Sequence, residues 1–136
     1  MACADTTLLL DLAGRGGRRA RRSALAKLRE LQAEQRPLLT TCFNAAELYV
    51  GIHKARDQAE ERRRVEGTLR AFRIIPFTDA AAREYGRLTA HLHRIGRPVG
   101  DMDVLIAATT MAAGEPLITR NAEHFAMIPG LVVEEY

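Results

Sequence analysis

The sequence predicts an α/β fold with a mainly parallel sheet covered by helices on both faces. Three observations carry that expectation. Short apolar runs alternate with segments of helical periodicity along the whole chain. The 136 residues, 47% hydrophobic and 27% charged, suffice for one sizeable core and are ordinary for a globular protein. No repeat, low-complexity tract or internal linker divides them, so residues 1–136 are expected to form a single domain.

The elements follow in order. ACADTT opens as a short buried strand and turns into LLLDLAG. Leu25, Leu28 and Leu31 recur at helical spacing within a helix from Ser23 to Gln35. PLLTT is a second strand, and either Thr40 or Thr41 caps the helix FNAAELYVGIHKAR that follows. A charged helix from Asp57 to Phe72 leads to the third strand, RIIPF, after which Thr78 or Asp79 caps AAREYGRLTAHLHRI. GRPVG is a turn-rich break before DMDVLIAATTMAAG, an apolar helix that ends at Gly114. EPLITRN supplies a fourth strand and GLVVEE an edge strand.

On that frame Asp5, Glu47, Asp101, Asp103 and Asn121 all fall at strand ends or helix starts. That is the side on which an open α/β sheet collects its ligands. Acids at a helix N-terminus interact favourably with the macrodipole, which accounts for Asp101 and half explains Asp103. It does not account for Asp5 in an apolar strand, or for Glu47 among Ala45, Ala46, Leu48 and Val50. Carboxylates that converge on one cleft cannot all stay ionised unless a cation joins them. Oxygen ligands with no neighbouring Cys or His favour Mg²⁺ or Mn²⁺ over zinc.

Rival chemistries find little support. His91 and His93 are two apart on a helix, roughly 200° around its axis, and cannot share a metal from one face. His53 and His124 stand alone, and no nucleophile elbow, P-loop or dinucleotide fingerprint is present. DTTLL superficially resembles phosphatases with an aspartate nucleophile, but Thr7 stands where these need a second acid. Cys3 and Cys42 are too few for a disulfide framework and read as buried free thiols. With no apolar run of membrane-spanning length and no signal-peptide pattern at Met1, the expected location is the cytoplasm.

The net charge is +3, and of the twenty basic residues only Lys27 and Lys54 are lysines. Arginine's planar fork grips phosphate at two points. GRGGRRARRSALAKLRE holds seven basic residues and one acid, a pattern that fits a nucleic-acid footprint and a solvated helix face equally well.

Four stretches together resemble the PIN-domain proteins of the VapC type, the toxin half of a toxin–antitoxin pair. They are DTTLLLDL, TTCFNAAELYVGI, GDMDVLIAATTMAAGEPLITRNAEHF and IPGLVVEEY, in that order over a matching length. The resemblance implies a three-layer α/β/α fold and an Mg²⁺-dependent endoribonuclease, with Mn²⁺ able to substitute. It places the family's acids on Asp5, Glu47 and Asp103, as catalytic residues and metal ligands. Asn121 stands where the family often has a fourth acid, and Asp101 matches a less regular position; both are further candidates for the metal. Thr6 and Thr119 match polar positions that support the acids. Arg15, Arg18, Arg19 and Arg120 are candidates for holding the RNA backbone. The resemblance also implies a VapB-like antitoxin seated in a groove between the N-terminal helices, a homodimer, and structured or loop RNA, often transfer RNA, as substrate.

Two other classes compete: a non-catalytic binding module on the same fold, and a metal-dependent DNA nuclease or phosphatase. Retention of three acids at their positions speaks against the first. As for the acidic pair, residues two apart cannot both face one cleft from a helix interior. Asp101 is therefore expected at the N-cap, bonding nearby amides, while Asp103 projects toward Asp5 and Glu47.

Overall fold

The computed structural model describes residues 1–97 and 99–136. Its strands are β1 (Ala2–Ala4), β2 (Leu38–Thr41), β3 (Arg73–Ile75), β4 (Leu117–Ile118) and β5 (Val133–Glu134). Its helices are α1 (Thr6–Leu12), α2 (Gly17–Ala33), α3 (Cys42–Lys54), α4 (Gln58–Leu69), α5 (Asp79–Arg94), α6 (Asp101–Ala112) and α7 (Ala122–Phe125). All four strand pairings are parallel, in the order β3-β2-β1-β4-β5. The chain builds outward from β1 to β3, then crosses to lay β4 on the other side of β1. The strand order therefore reverses between β1 and β4, and the crevice beyond their carboxyl ends is where such sheets bind ligands.

Alternation along β1 explains the two cores. Ala2 and Ala4 face one layer with Leu8, Leu9, Leu31, Leu48, Ile52 and Phe72, from α1 to α4 and the start of β3. Cys3 faces the other with Leu88, Leu92, Ile106, Ala107, Leu117 and Phe125, from α5 to α7. Small residues in the central strand let helices approach closely on both sides. Each fully buried leucine contributes roughly 1.5–3 kcal/mol by leaving water. Thr109 and Thr110 lie buried in α6 because each hydroxyl donates to the carbonyl four residues back, Leu105 at 2.7 Å and Ile106 at 2.8 Å.

Several boundaries differ from the sequence expectation. TTLLLDL is a helix, not the continuation of a strand, because Asp5 in extended conformation ends β1 and starts α1 at once. α2 begins at Gly17, well before the expected start at Ser23, so Arg18, Arg19, Arg21 and Arg22 belong to the helix itself. Gly100, not Asp101, is the N-cap of α6; Asp101 is its first helical residue and makes no cap bond. The GRPVG break precedes it, with Pro98 outside the described residues. Cys3 is fully buried and its thiol is pushed up to about 12, chiefly by burial, whereas Cys42 is only partly buried. Thr41 and Thr78 are the caps of α3 and α5, and Gly114, at φ +72°, terminates α6 as expected. Among the described residues no helix is long and apolar enough to cross a membrane.

Lys27 is buried beside Glu30 at 3.0 Å and Glu134 at 3.3 Å. Burial alone would depress its ammonium; the bonds to both glutamates outweigh that and raise it. Arg36 adds a two-point contact to Glu134 at 2.8 and 3.2 Å. This network fastens edge strand β5 to α2 and to the loop before β2.

Candidate active site

Asp5 stands at the carboxyl end of β1, 6% exposed, with its carboxylate held from three directions. Asn44 Nδ2 donates to Oδ1 at 3.2 Å, Thr119 Oγ1 donates to Oδ2 at 2.8 Å, and Thr7 Oγ1 donates to Oδ2 at 3.4 Å. Each donor comes from a different element, so β1, α1, α3 and the end of β4 all converge on one side chain. Asn44 is itself fixed. It is fully buried, its Oδ1 accepts from the Thr41 hydroxyl at 2.6 Å and the Thr41 amide at 3.3 Å, and its Nδ2 also reaches Thr6 Oγ1 at 2.9 Å.

Glu47 lies one turn further along α3, where Thr6 Oγ1 donates to its Oε1 at 2.7 Å. Burial pushes its carboxyl above the usual range; the Thr6 bond opposes this, and the charges of Asp5 and Asp103 add to it. Asp103, at the start of α6, is raised likewise, first by burial and then by Asp5, with His124 pulling the other way. His124 Nδ1 lies 4.0 Å from Asp103 Oδ2. The three carboxyls thus feel one another electrostatically. Among the described residues, no three Asp, Glu, His or Cys side chains close into a cage as they stand.

Asp101 is exposed and borders a small hollow with Thr89, Leu92, His93 and Val99. Asn121 is half-buried before α7, its amide donating to Thr119 Oγ1 at 3.1 Å. Arg15 is paired with Glu61 at 3.3 Å, and Arg120 with Asp11 at 2.9 Å. Arg18 and Arg19 are exposed on α2; Arg18, Arg21, Arg22 and Arg29 line a shallow surface around Leu25.

Sequence reasoning missed Asn44, Thr7 and Asp11. Asn44 had a readable signal, three residues after Thr41, where the two form a capping box. Asp11 had none and Thr7 only its nearness to Asp5, because their other partners Thr119, Arg120 and Tyr136 lie more than a hundred residues away.

The donor set suits a hard divalent cation. Asp5, Glu47 and Asp103 present only oxygen, two of them are carboxyls raised by burial and by the Asp5 charge, and a cation would relieve that repulsion. Orientation is built in for two of the three, by the donors on Asp5 and by Thr6 on Glu47.

A strand-order reversal with carboxylates gathered at its mouth defines an acidic α/β ligand site, and comparison with known proteins assigns its family. The PIN domain family model matches residues 2–131. Ribonuclease VapC10 of Mycobacterium tuberculosis is 36% identical over 95 residues, covering 70% of this chain and 68% of that protein. The tRNA(fMet)-specific endonuclease VapC of Shigella flexneri is 31% identical over 90 residues, 66% of this chain and 68% of that one. The crystal structure of VapBC2 from Rickettsia felis, bound to a DNA fragment from the promoter, superposes with a TM-score of 0.89. It is 24% identical, covers 99% of this chain and 98% of that one, and shows the shared fold. The chain belongs to the PIN-domain family and, within it, to the VapC ribonucleases.

Proposed function

We propose that this chain is the toxin of a VapBC-type pair, an endoribonuclease in which Asp5, Glu47 and Asp103 hold Mg²⁺, with Mn²⁺ able to substitute. The observation that carries this reading is Asp5, buried and bonded by three donors while facing two carboxyls whose ionisation it disfavours. A bound divalent ion supplies a nucleophilic water near neutral pH and charge relief on phosphoryl oxygens. The chain's own residues supply orientation. Asn44, Thr7 and Thr119 aim Asp5, and Thr6 aims Glu47. Asn121 and Asp101 complete the candidate set. The Shigella relative's specificity makes transfer RNA the first substrate to try.

Incubating the protein with Mg²⁺ and, separately, total RNA, single-stranded DNA and a phosphate monoester tests the reading. RNA cleavage alone supports it. Cleavage of only DNA or only the monoester transfers the site to the competing hydrolase class, and binding without cleavage transfers it to the binding module.

The antitoxin has a candidate seat. A groove of 380 Å³ runs between α2 and α4, lined by Leu12, Leu25, Leu28 and Phe72 with Arg21 and Arg64 at its rim. A helix or tail with apolar and acidic faces matches that lining, and the superposed solved structure is itself a VapBC complex. Homodimerisation has a candidate surface on α3, where Tyr49 and Val50 are 42% and 53% exposed while Leu48 and Ile52 go to the core. Light scattering at micromolar concentration reads it, and a stable monomer contradicts it.

The arginine face of α2 carries a third expectation. Replacing Arg18, Arg19, Arg21 and Arg22 weakens RNA binding and flattens its salt dependence, by roughly 0.7 in log–log slope for each phosphate no longer neutralised. Melting temperature hardly moves, because exposed charges contribute little to folding. An unchanged slope leaves these arginines as a solvated face.

A further inference from the structure

Asp11 is a buried carboxyl that the acid cluster does not use. It lies on α1, 0% exposed, and accepts from Arg120 Nε at 2.9 Å, Arg120 Nη2 at 3.2 Å and the Tyr136 hydroxyl at 2.7 Å. Taking a carboxylate out of water costs free energy that an apolar side chain of the same volume would not, so folding alone gives little reason for one here.

Two features connect the pair to the site. The first is Gly16: a Cβ there would lie 2.0 Å from Asp11 Oδ1. Its φ of −88° is open to any residue, so the glycine serves the carboxylate rather than the turn. The second is the position of Arg120, between Thr119, which bonds Asp5, and Asn121. The Arg120 amide donates to Thr7 Oγ1 at 3.0 Å, and Thr7 Oγ1 in turn contacts both Thr119 and Asp5. Arg120 is therefore fixed at its backbone by the acid-holding threonines and at its head by Asp11. Its side chain nevertheless stays 49% exposed. A guanidinium has five donors, and the contacts to Asp11 use only the Nε–Nη2 edge.

We propose that Asp11 and Tyr136 are positioning residues for Arg120, holding its half-exposed guanidinium, one residue beyond the Asp5-bonding Thr119, so that its remaining donors take a backbone phosphate oxygen of the bound RNA. The inference rests on the RNA-cleaving reading above and deepens it. A fork fixed in advance loses little side-chain freedom when phosphate arrives, which a free surface arginine cannot match.

The test compares wild type with D11N, Y136F, R120K, R120A and D11N/R120A. Three readouts are needed: steady-state cleavage of a labelled single-stranded RNA in Mg²⁺, binding of that RNA across a salt series, and melting temperature. R120A is expected to raise KM and Kd roughly tenfold, the scale of one charge-assisted bond, while kcat changes much less. Its salt slope becomes shallower by about 0.7. D11N reproduces most of the KM change although Arg120 is still present, Y136F a smaller part, and R120K falls between wild type and R120A. The double variant binds no more weakly than R120A, because Asp11 acts only through Arg120. Folded D11N or Y136F with wild-type KM and salt slope overturns the proposal, as do lowered melting temperatures alone or independent, multiplying effects in the double variant. Should D11N fail to fold, Y136F and R120K decide, since both leave the buried carboxylate a cationic partner. Wild type that neither binds nor cleaves RNA overturns the RNA-cleaving reading and this one with it, whereas active wild type with unaffected variants overturns only the positioning role.

Discussion

Asp103→Asn lowers RNA cleavage by more than about a hundredfold and leaves the fold intact or more stable, while Asp101→Asn keeps nearly all activity. The magnitude follows from the role: replacing a residue that merely orients a metal ligand already costs about 10–100-fold, and a ligand costs more. The stability gain follows from the electrostatics. Asp103 is raised by burial and by the Asp5 charge, so an uncharged amide of the same shape removes a repulsion. Asp101 differs because α6 is capped at Gly100, and Asp101 is exposed toward the hollow beside Leu92 and His93. What its carboxylate contributes is a favourable charge in the first helical turn, about 0.3–1 kcal/mol. Single-turnover cleavage at saturating Mg²⁺, with melting temperatures, checks both. Equal loss in two equally folded variants makes Asp101 a ligand after all.

The second large effect is on stability against pH, with and without divalent ion. Glu47 and Asp103 both have folded-state values above their ordinary ones, 4.5 and 3.8. The folded state thus binds protons more tightly than the unfolded one across that range. Stability from these two groups is fully present below the ordinary values and is lost as pH rises through the elevated ones. Metal-free protein is therefore expected to lose this site's contribution to stability as pH rises from below 3.8 to 7. Mg²⁺ takes the place of the protons and restores the difference, raising the melting temperature more at pH 7 than at pH 5. Glu47→Gln with Asp103→Asn flattens the metal-free profile and abolishes the Mg²⁺ shift. Chelator removes cleavage in parallel; cleavage undiminished in EDTA contradicts the metal role. A Mg²⁺ shift of the same size at both pH values, or one that survives the double substitution, separates the ion from these carboxyls.

Much of this was legible in the sequence because the signals are local. Alternating periodicity announced the α/β class, the pairs Thr40–Thr41 and Thr78–Asp79 announced helix starts, of which the structure uses Thr41 and Thr78, and Gly114 announced a stop. Asp5 and Glu47 stood out as acids in apolar surroundings that nothing nearby could neutralise. Errors concentrated where two local signals competed. Thr6 and Thr7 have the β-branched side chains of a strand yet open α1, and α2 starts at Gly17, ahead of the leucine spacing that marked a helix only from Ser23. At α6, Asp101 looked like the better cap by residue type, yet Gly100 takes that position and Asp101 is already helical.

The sequence alone determined the α/β class and most of the alternation of strands and helices, missing the short α1 and α7, and singled out Asp5, Glu47 and Asp103 as candidate acids, since each depends on residue type and on spacings within a turn or two. Only the tertiary structure decided how those acids are held. Asn44 and Thr119 meet on Asp5 from the helix after β2 and from the end of β4, 39 and 114 residues away, because parallel pairing on both sides of β1 brings those ends together. The same crossover buries Asp11 against Arg120 and Tyr136, 109 and 125 residues distant. Hydrogen bonds of that span follow from strand order, and strand order is set by burying both faces of the sheet at once rather than by any local run of residues.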